Sequence, residues 1–318
     1  MKKTAWLFPG QGAQTVGMGK SLSEAFPICR EVFSRADTAL GWSLSRLCFD
    51  GPESELKLTA HAQPAILTVS YAALRALQTE ISDLPDPDCA AGHSLGEYTA
   101  LVASGALKFE DAVRLVHLRG KAMQQAVSPG DGSMAALVGG NAELVGRICE
   151  DASQDSEMVA PANFNAPGQV VIAGHAGAVE RARSLAASQG LKAIPLKVSA
   201  PFHCALMAPA AKAVEEALRG LSVAAPRFDV VSNVEAQANR DPSRIPALLV
   251  RQVDSPVLWE QSIRTLADRG VEQALELGPG KVLAGLVKRT QGDLRVLSIG
   301  DPSSLARAKQ ELAQPSPV

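Results

Sequence analysis

Short apolar blocks alternate with longer stretches of helical spacing through most of the chain. Ala5-Trp6-Leu7-Phe8 is an unbroken apolar run that suits a short strand buried on both faces, and Pro9-Gly10-Gln11-Gly12-Ala13-Gln14 is a loop leading out of it. From about Ser21 to Leu40 the spacing is helical, interrupted at Pro27. Gln63-Pro64 opens a stronger helix, with Pro64 in its first turn and Ile66, Leu67, Val69, Leu74 and Leu77 as buried positions. Pro85-Asp86-Pro87-Asp88 delivers the chain into Cys89-Ala90-Ala91, the end of a buried strand. A helix follows over Glu97–Ala103 and another from Phe109 to Met123. Strand, helix, strand, helix predicts a parallel α/β layer.

The middle of the chain changes character. Strands are predicted at Ser133–Val138, Met158–Ala162, Gln169–Ala173 and Ala193–Val198, with helices at Ala142–Ala152 and Ala178–Ser188. That β-α-β-β-α-β order is the order of a ferredoxin-like unit. Gly130-Asp131-Gly132 and Ser199-Ala200-Pro201 are its borders. Helices then resume near Ala208–Leu218, Ile245–Val253 and Trp259–Arg269, and a strand at Gln273–Leu277 runs through Gly278-Pro279-Gly280 into a helix from Val282. The expected architecture is a large α/β domain in two pieces, 1–128 and 199–318, with a small domain, 129–198, inserted between them. A substrate site is expected in the cleft between the two. Gln314-Pro315-Ser316-Pro317-Val318 is expected to fray.

Bulk properties narrow the setting. A length of 318 residues exceeds the usual single domain, and 46% hydrophobic residues are ample for a core. No apolar run reaches the roughly 18 residues needed to span a bilayer, and the start is too short in apolar residues for a signal peptide. The five cysteines (Cys29, Cys48, Cys89, Cys149, Cys204) are odd in number and scattered, which fits free thiols in a reducing cytoplasm better than disulfides or a zinc site. A net charge of −2 supplies no bulk attraction to nucleic acid or membrane.

Against that background Gly92-His93-Ser94-Leu95-Gly96 stands out as G-x-S-x-G between a strand and a helix, the nucleophile-elbow arrangement. Side chains at either glycine would crowd strand against helix, and the N–H groups opening the helix favour negative charge beside the serine. The five-residue pattern also arises by chance, so partners decide its meaning. Of five histidines, His61, His117 and His175 read as surface or packing residues, and His93 can line the pocket without reaching the serine hydroxyl. His203 stands where the chain returns to the large domain, on a loop facing the cleft, and is the candidate base. Candidate acids between serine and histidine in the chain, such as Glu143, Glu150 and Asp151, fall in the inserted unit. An ordinary esterase triad is thereby disfavoured, and a backbone or amide carbonyl is left to orient the imidazole. Arg119 is either a solvated helical cation or an inward fork for a substrate carboxylate.

Taken together, Phe8–Gln14, Gly92–Tyr98, Arg119–Met123, Asn163–Gln169, Pro201–Met207 and Glu276–Lys281 resemble, in order, the motifs of the malonyl-CoA:acyl carrier protein transacylases. The resemblance covers the chain from Phe8 to about Arg289. It implies a hydrolase-like large domain with a ferredoxin-like insertion, in agreement with the patterning. It further implies Ser94 as the nucleophile that becomes a malonyl ester, His203 as base and the backbone carbonyl of Gln252 as its orienting group. The backbone N–H groups of Gln11 and Leu95 would form the oxyanion hole. Arg119 would hold the malonyl carboxylate, with Gln11 and His93 in the same pocket, Asn163 in a cleft-facing loop, and Phe202 beside the base. Phe202 is the residue the wider family tends to pair with malonyl units, where a smaller residue accompanies methylmalonyl; fatty-acid members also often carry a smaller one. The implied donor is malonyl-CoA and the implied acceptor a phosphopantetheinylated acyl carrier protein, in fatty-acid or polyketide biosynthesis. Acyl carrier proteins are acidic, so a basic patch is expected, with Lys281, Lys288 and Arg289 as contributors. A cytoplasmic monomer without metal or redox cofactor is expected. A hydrolase that unloads carriers, a silent docking module and a malonate-decarboxylase subunit are the rival readings; Arg119 argues against the first, and intact Ser94, His203 and Gln11 against the second.

Overall fold

A computed structural model describes residues 2–154, 156–198 and 200–313. Ser199, named above as a border, and the tail from Gln314 to Val318 lie outside the described residues. Among the described residues ten strands form two sheets: β1 (Thr4–Phe8), β2 (Cys89–Gly92), β3 (Gly132–Val138), β4 (Val159–Ala166), β5 (Gln169–His175), β6 (Lys192–Pro195), β7 (Asp229–Val231), β8 (Ala238–Asn239), β9 (Gln273–Leu277) and β10 (Arg295–Ile299). The larger sheet runs β10-β9-β1-β2-β7-β8, parallel except for the antiparallel β8 at one edge. β2 and β9 are buried along their whole length, and β1 after Thr4, because helices cover both sides, as parallel sheets require. The smaller sheet, β4-β5-β3-β6, is antiparallel, and its strands and two helices, Ala142–Ala152 and Ala176–Ser188, follow the ferredoxin-like order. The fold is therefore α/β with a ferredoxin-like insertion, as the patterning predicts, and its parallel sheet is hydrolase-like, as the resemblance implies.

Three local readings need correction. The helix expected to open at Gln63-Pro64 begins at Thr59 and runs to Glu80, which places Pro64 inside it. Pro64 cannot donate to the carbonyl four residues back, that of Ala60. His117 Nδ1 donates to that carbonyl instead, at 2.8 Å, so the break expected at a proline is absorbed by a side chain from the Phe109–Gln125 helix. The strand expected to end at Ala162 continues to Ala166, past Asn163, through two register shifts that let a polar, loop-like sequence stay paired. The last strand of the small sheet stops at Pro195 rather than Val198.

Two parts of the large sheet escape the patterning. The short hairpin β7-β8 is only three and two residues long. β10, followed by the Pro302–Leu312 helix, adds an edge strand beyond the last motif. The loop after β9 is pinned by Glu276, whose buried carboxylate accepts from the N–H groups of Leu283 and Ala284 and from Ser298 Oγ. That fixes the start of the Val282–Thr290 helix against the sheet.

Candidate active site

β1 and β2 pair in register, Phe8 beside Gly92, so the loops after both emerge at the carboxyl edge of the parallel sheet. Ser94 sits on the turn after β2 with φ 50°, a left-handed conformation that costs a serine free energy and is held only because its surroundings over-determine it. The glycines around it are spatial requirements. A Cβ on Gly92 would lie 1.9 Å from the Gly96 carbonyl carbon, and one on Gly96 would lie 2.1 Å from the Phe8 carbonyl oxygen.

Asn233, which no motif contains, braces the turn. Its Oδ1 accepts from the Ser94 N–H at 2.7 Å and its Nδ2 donates to the Gly92 carbonyl at 2.7 Å. The Gln252 Nε2 donates to the Ser94 carbonyl at 2.8 Å. With the backbone satisfied, the serine hydroxyl is free to face the cleft.

His203 Nε2 lies 2.8 Å from Ser94 Oγ, and His203 Nδ1 lies 2.8 Å from the backbone carbonyl of Gln252. A carbonyl can only accept, so Nδ1 carries the proton and Nε2 is left as the acceptor facing the hydroxyl. His203 also has positive φ, 61°, a second strained backbone at the same spot. Burial, and then the nearby Arg119 cation, push its imidazole down to about 3, so it is neutral, with Nε2 unprotonated toward the hydroxyl. Gln252 is fully buried on the Ile245–Asp254 helix and thus occupies the place an acid would take in a triad.

Arg119 is 1% exposed, on the inward face of the Phe109–Gln125 helix. Its Nη2 donates to Ser94 Oγ at 3.1 Å and to Gln252 Oε1 at 2.9 Å, and its Nη1 donates to Gln63 Oε1 at 2.7 Å. Every one of these partners is neutral. The face of Tyr98 lies 5.3 Å from the guanidinium carbon and supplies a weak attraction to the cation. Burial disfavours the charged form and lowers the pKa of the group.

These side chains line a cleft of about 510 Å³ between the two sheets. Gln11, His93, Ser94, Arg119 and His203 come from the large-sheet side, while Asn163 reaches it from the small sheet. Asn163 is not on a loop as expected; it lies in β4, 7% exposed, and its backbone pairs with Val257 beside a strand irregularity. His93 Nε2 is 2.8 Å from Asn165 Oδ1, which ties the cleft wall to the small sheet, and burial lowers the His93 pKa. Phe202 is 8% exposed and forms part of the wall next to the base. Gln11 follows β1 and lines the cleft, and Leu95 is the first residue of the Leu95–Ala103 helix, where a backbone N–H has no intrahelical acceptor. Lys281, Lys288 and Arg289 lie on the surface outside this cleft, with Arg289 bonded to Gln169. Lys57 and Lys197, which sequence reasoning passed over, line the cleft instead.

The other histidines hold structure, as expected. His117 serves Ala60, His61 Nδ1 bonds the Glu55 carbonyl at 2.9 Å, and His175 Nδ1 accepts from the Met158 N–H at 3.0 Å. All five cysteines are buried free thiols. Among the described residues no helix is long and apolar enough to cross a membrane.

Fold and geometry together define a hydrolase-like α/β protein with a nucleophile elbow and a serine–histidine pair. Comparison with known proteins makes the assignment specific. Residues 5–309 match the acyl transferase domain family, and the chain belongs to that family. It is 46% identical over 313 residues to the malonyl CoA-acyl carrier protein transacylase of Haemophilus influenzae, covering 98% of this chain and all of that one. Among solved structures it is similar to the malonyl CoA-acyl carrier protein transacylase of Coxiella burnetii, with a TM-score of 0.95 and 39% identity over 98% of both chains. It is also similar to a malonyl-transacylase solved in complex with its type II PKS acyl-carrier protein, with a TM-score of 0.94 and 44% identity over 97% of this chain and 99% of that one.

Proposed function

We propose that this acyltransferase moves a malonyl group from malonyl-CoA to the phosphopantetheine thiol of an acyl carrier protein, through an ester on Ser94. The observation that carries the reading is the buried Arg119 cation, whose hydrogen-bond partners among the described residues are neutral and include the nucleophile itself. A cation out of water is costly unless an anion joins it. A dicarboxylic acyl group supplies that anion on the side of the substrate away from its thioester, and a neutral acyl chain does not.

The reaction follows from the proton positions. Ser94 Oγ attacks the thioester carbonyl carbon as His203 Nε2 takes the hydroxyl proton, and the Gln252 carbonyl supports the imidazolium through Nδ1–H. The Gln11 and Leu95 N–H groups receive the oxyanion, each worth about 100- to 1000-fold in rate. The C–S bond breaks, His203 returns the proton to the departing CoA sulfur, and malonyl-Ser94 remains. The carrier thiol then repeats the sequence in reverse, giving its proton to His203 and taking the acyl group. Both halves are proton and acyl transfers, so this reading calls for no metal or redox cofactor.

The same reading divides the chain into a large domain of 1–128 and 199–318 and an inserted domain of 129–198, with the substrate between them. Lys57 and Lys197 at the cleft offer cations to a phosphate-bearing donor, and Lys281, Lys288 and Arg289 offer them to an acidic carrier. We take the protein to act as a cytoplasmic monomer, in fatty-acid or polyketide synthesis. Incubation with a panel of acyl-CoAs and carrier proteins, read by mass spectrometry, tests donor and acceptor together; equal labelling by malonyl-, acetyl- and butyryl-CoA would remove the dicarboxylate reading.

A further inference from the structure

Glu97 is 3% exposed and lies behind the nucleophile, away from the cleft-lining residues. By position it is the third residue of the helix that Ser94 precedes, and Ser-x-x-Glu at a helix start is the pattern of a capping box. The structure shows no such box: Ser94 makes no side-chain cap, and the Glu97 carboxylate turns elsewhere. Its Oε2 accepts from the Gln252 Nε2 at 2.7 Å and from the Asn233 backbone N–H at 3.0 Å. Burial pushes the Glu97 carboxyl up to about 7, against the pull of these donors, so a more easily buried side chain would cost the fold less. A group that expensive to bury needs a reason to be there.

The reason lies in how Gln252 is held. Its amide sits between an acceptor-only side and a donor-only side. Nε2 donates to the Ser94 carbonyl, to Glu97 and, at 3.3 Å, to Asn233 Oδ1, while Oε1 accepts from Arg119 Nη2. Rotating the amide by half a turn would set its oxygen against three acceptors and its NH2 group against a guanidinium. The Glu97 oxygen that accepts from Nε2 on one side and the Arg119 guanidinium that donates to Oε1 on the other set the orientation. Asn233, the brace of the Ser94 turn, is tied to the same carboxylate oxygen.

We propose that Glu97 is a positioning residue for acyl selection: through the Gln252 amide it fixes the Arg119 guanidinium beside Ser94. The inference rests on the reading of Arg119 as the carboxylate partner given above. Glu97 touches no reacting atom and acts only through Gln252 and Asn233.

Glu97→Gln keeps the shape but removes the charge and lets the amide of residue 97 present either end to Gln252. Rates of ester formation from malonyl-CoA and acetyl-CoA are compared in wild type, Glu97→Gln, Arg119→Ala and the double variant, alongside thermal unfolding. The expected result is a malonyl-over-acetyl preference lowered about 10- to 100-fold in Glu97→Gln, the range for one charged hydrogen bond, and no further lowering when the change is added to Arg119→Ala. A purely structural role would lower both rates and the melting temperature together and leave the preference unchanged, which would overturn the proposal. If Arg119→Ala itself leaves the preference intact, the carboxylate reading fails instead, and the two failures are distinct. Should Glu97→Gln not fold, Gln252→Met keeps the backbone carbonyl that His203 uses while cutting the side-chain relay. It is expected to lower the preference by a similar factor, and a preference within twofold of wild type would overturn the relay.

Discussion

The Arg119 guanidinium and the Ser94 hydroxyl are one hydrogen bond apart, Nη2 donating to Oγ at 3.1 Å. The same hydroxyl faces His203 Nε2 at 2.8 Å, so a cation that lowers the cost of alkoxide character and a base that accepts the proton converge on one atom. Arg119 has Gln63 and Gln252 as its remaining side-chain hydrogen-bond partners. Those amides fix its plane without cancelling its charge, which is the condition for selecting an anionic acyl group.

Replacing Arg119 by alanine is expected to leave the malonyl carboxylate buried without a partner, at a cost of about 3–5 kcal/mol. The kcat/KM for malonyl-CoA should fall by about 100- to several-thousand-fold while acetyl-CoA is tolerated. Parallel steady-state kinetics on the two donors check this; an unchanged malonyl preference removes the clamp.

His203 sets the pH behaviour. Its imidazole is held at about 3 against 6.5 in an unfolded chain, so between those values the unfolded state binds a proton that the native state does not. This group's contribution to stability is complete above 6.5 and is lost as pH falls toward 3, by about 1.4 kcal/mol per pH unit. His203→Gln should lack that slope, so denaturation curves of the two proteins should converge or cross as pH is lowered from 7 to 4. Ester formation by the wild type should show no acid limb near 6.5. His203→Ala should slow both half-reactions by about 100- to 10,000-fold.

The elbow has no room to spare. Gly92→Ala would place its Cβ 1.9 Å from a backbone atom of Gly96, and a loss of more than about 4 kcal/mol or outright misfolding is expected. Gly146→Ala, on the Ala142–Ala152 helix with nothing within 4 Å, should instead gain about 0.5–1 kcal/mol. Urea unfolding of the pair separates crowding from a general intolerance of glycine replacement.

What was legible in the sequence was whatever depended on near neighbours or on a contiguous motif. Helical spacing placed Phe109–Gln125 with Arg119 on its inner face, and G-x-S-x-G placed Ser94 between β2 and a helix. The βαββαβ order emerged from apolar runs that fill one side of a small sheet each. Asn163 was misplaced because Asn-Phe-Asn-Ala-Pro-Gly has the composition of a loop, and only pairing with β5 across two register shifts makes it strand. Pro64 read as a helix start because the side chain that excuses it, His117, is more than fifty residues away. Asn233, Glu97 and Gln63 were missed for a related reason. Asn233 is 139 residues from the serine it braces, and Gln63 is 56 from the arginine it orients. Glu97 stood inside a recognised motif but showed its role only once Gln252 was brought against it from 155 residues away. A long polar side chain just before the apolar positions Ile66, Leu67 and Val69, that of Gln63, was the one signal available.

The central claim is that Ser94 carries malonate between two thiols. Wild-type protein and Ser94→Ala are incubated with malonyl-CoA, then with a phosphopantetheinylated acyl carrier protein, and followed by intact-protein mass spectrometry. The account predicts one malonyl increment on the wild type, its transfer to the carrier when the carrier is added, and no increment on Ser94→Ala. An increment that persists on Ser94→Ala, or one that leaves the wild type only to water, would contradict it.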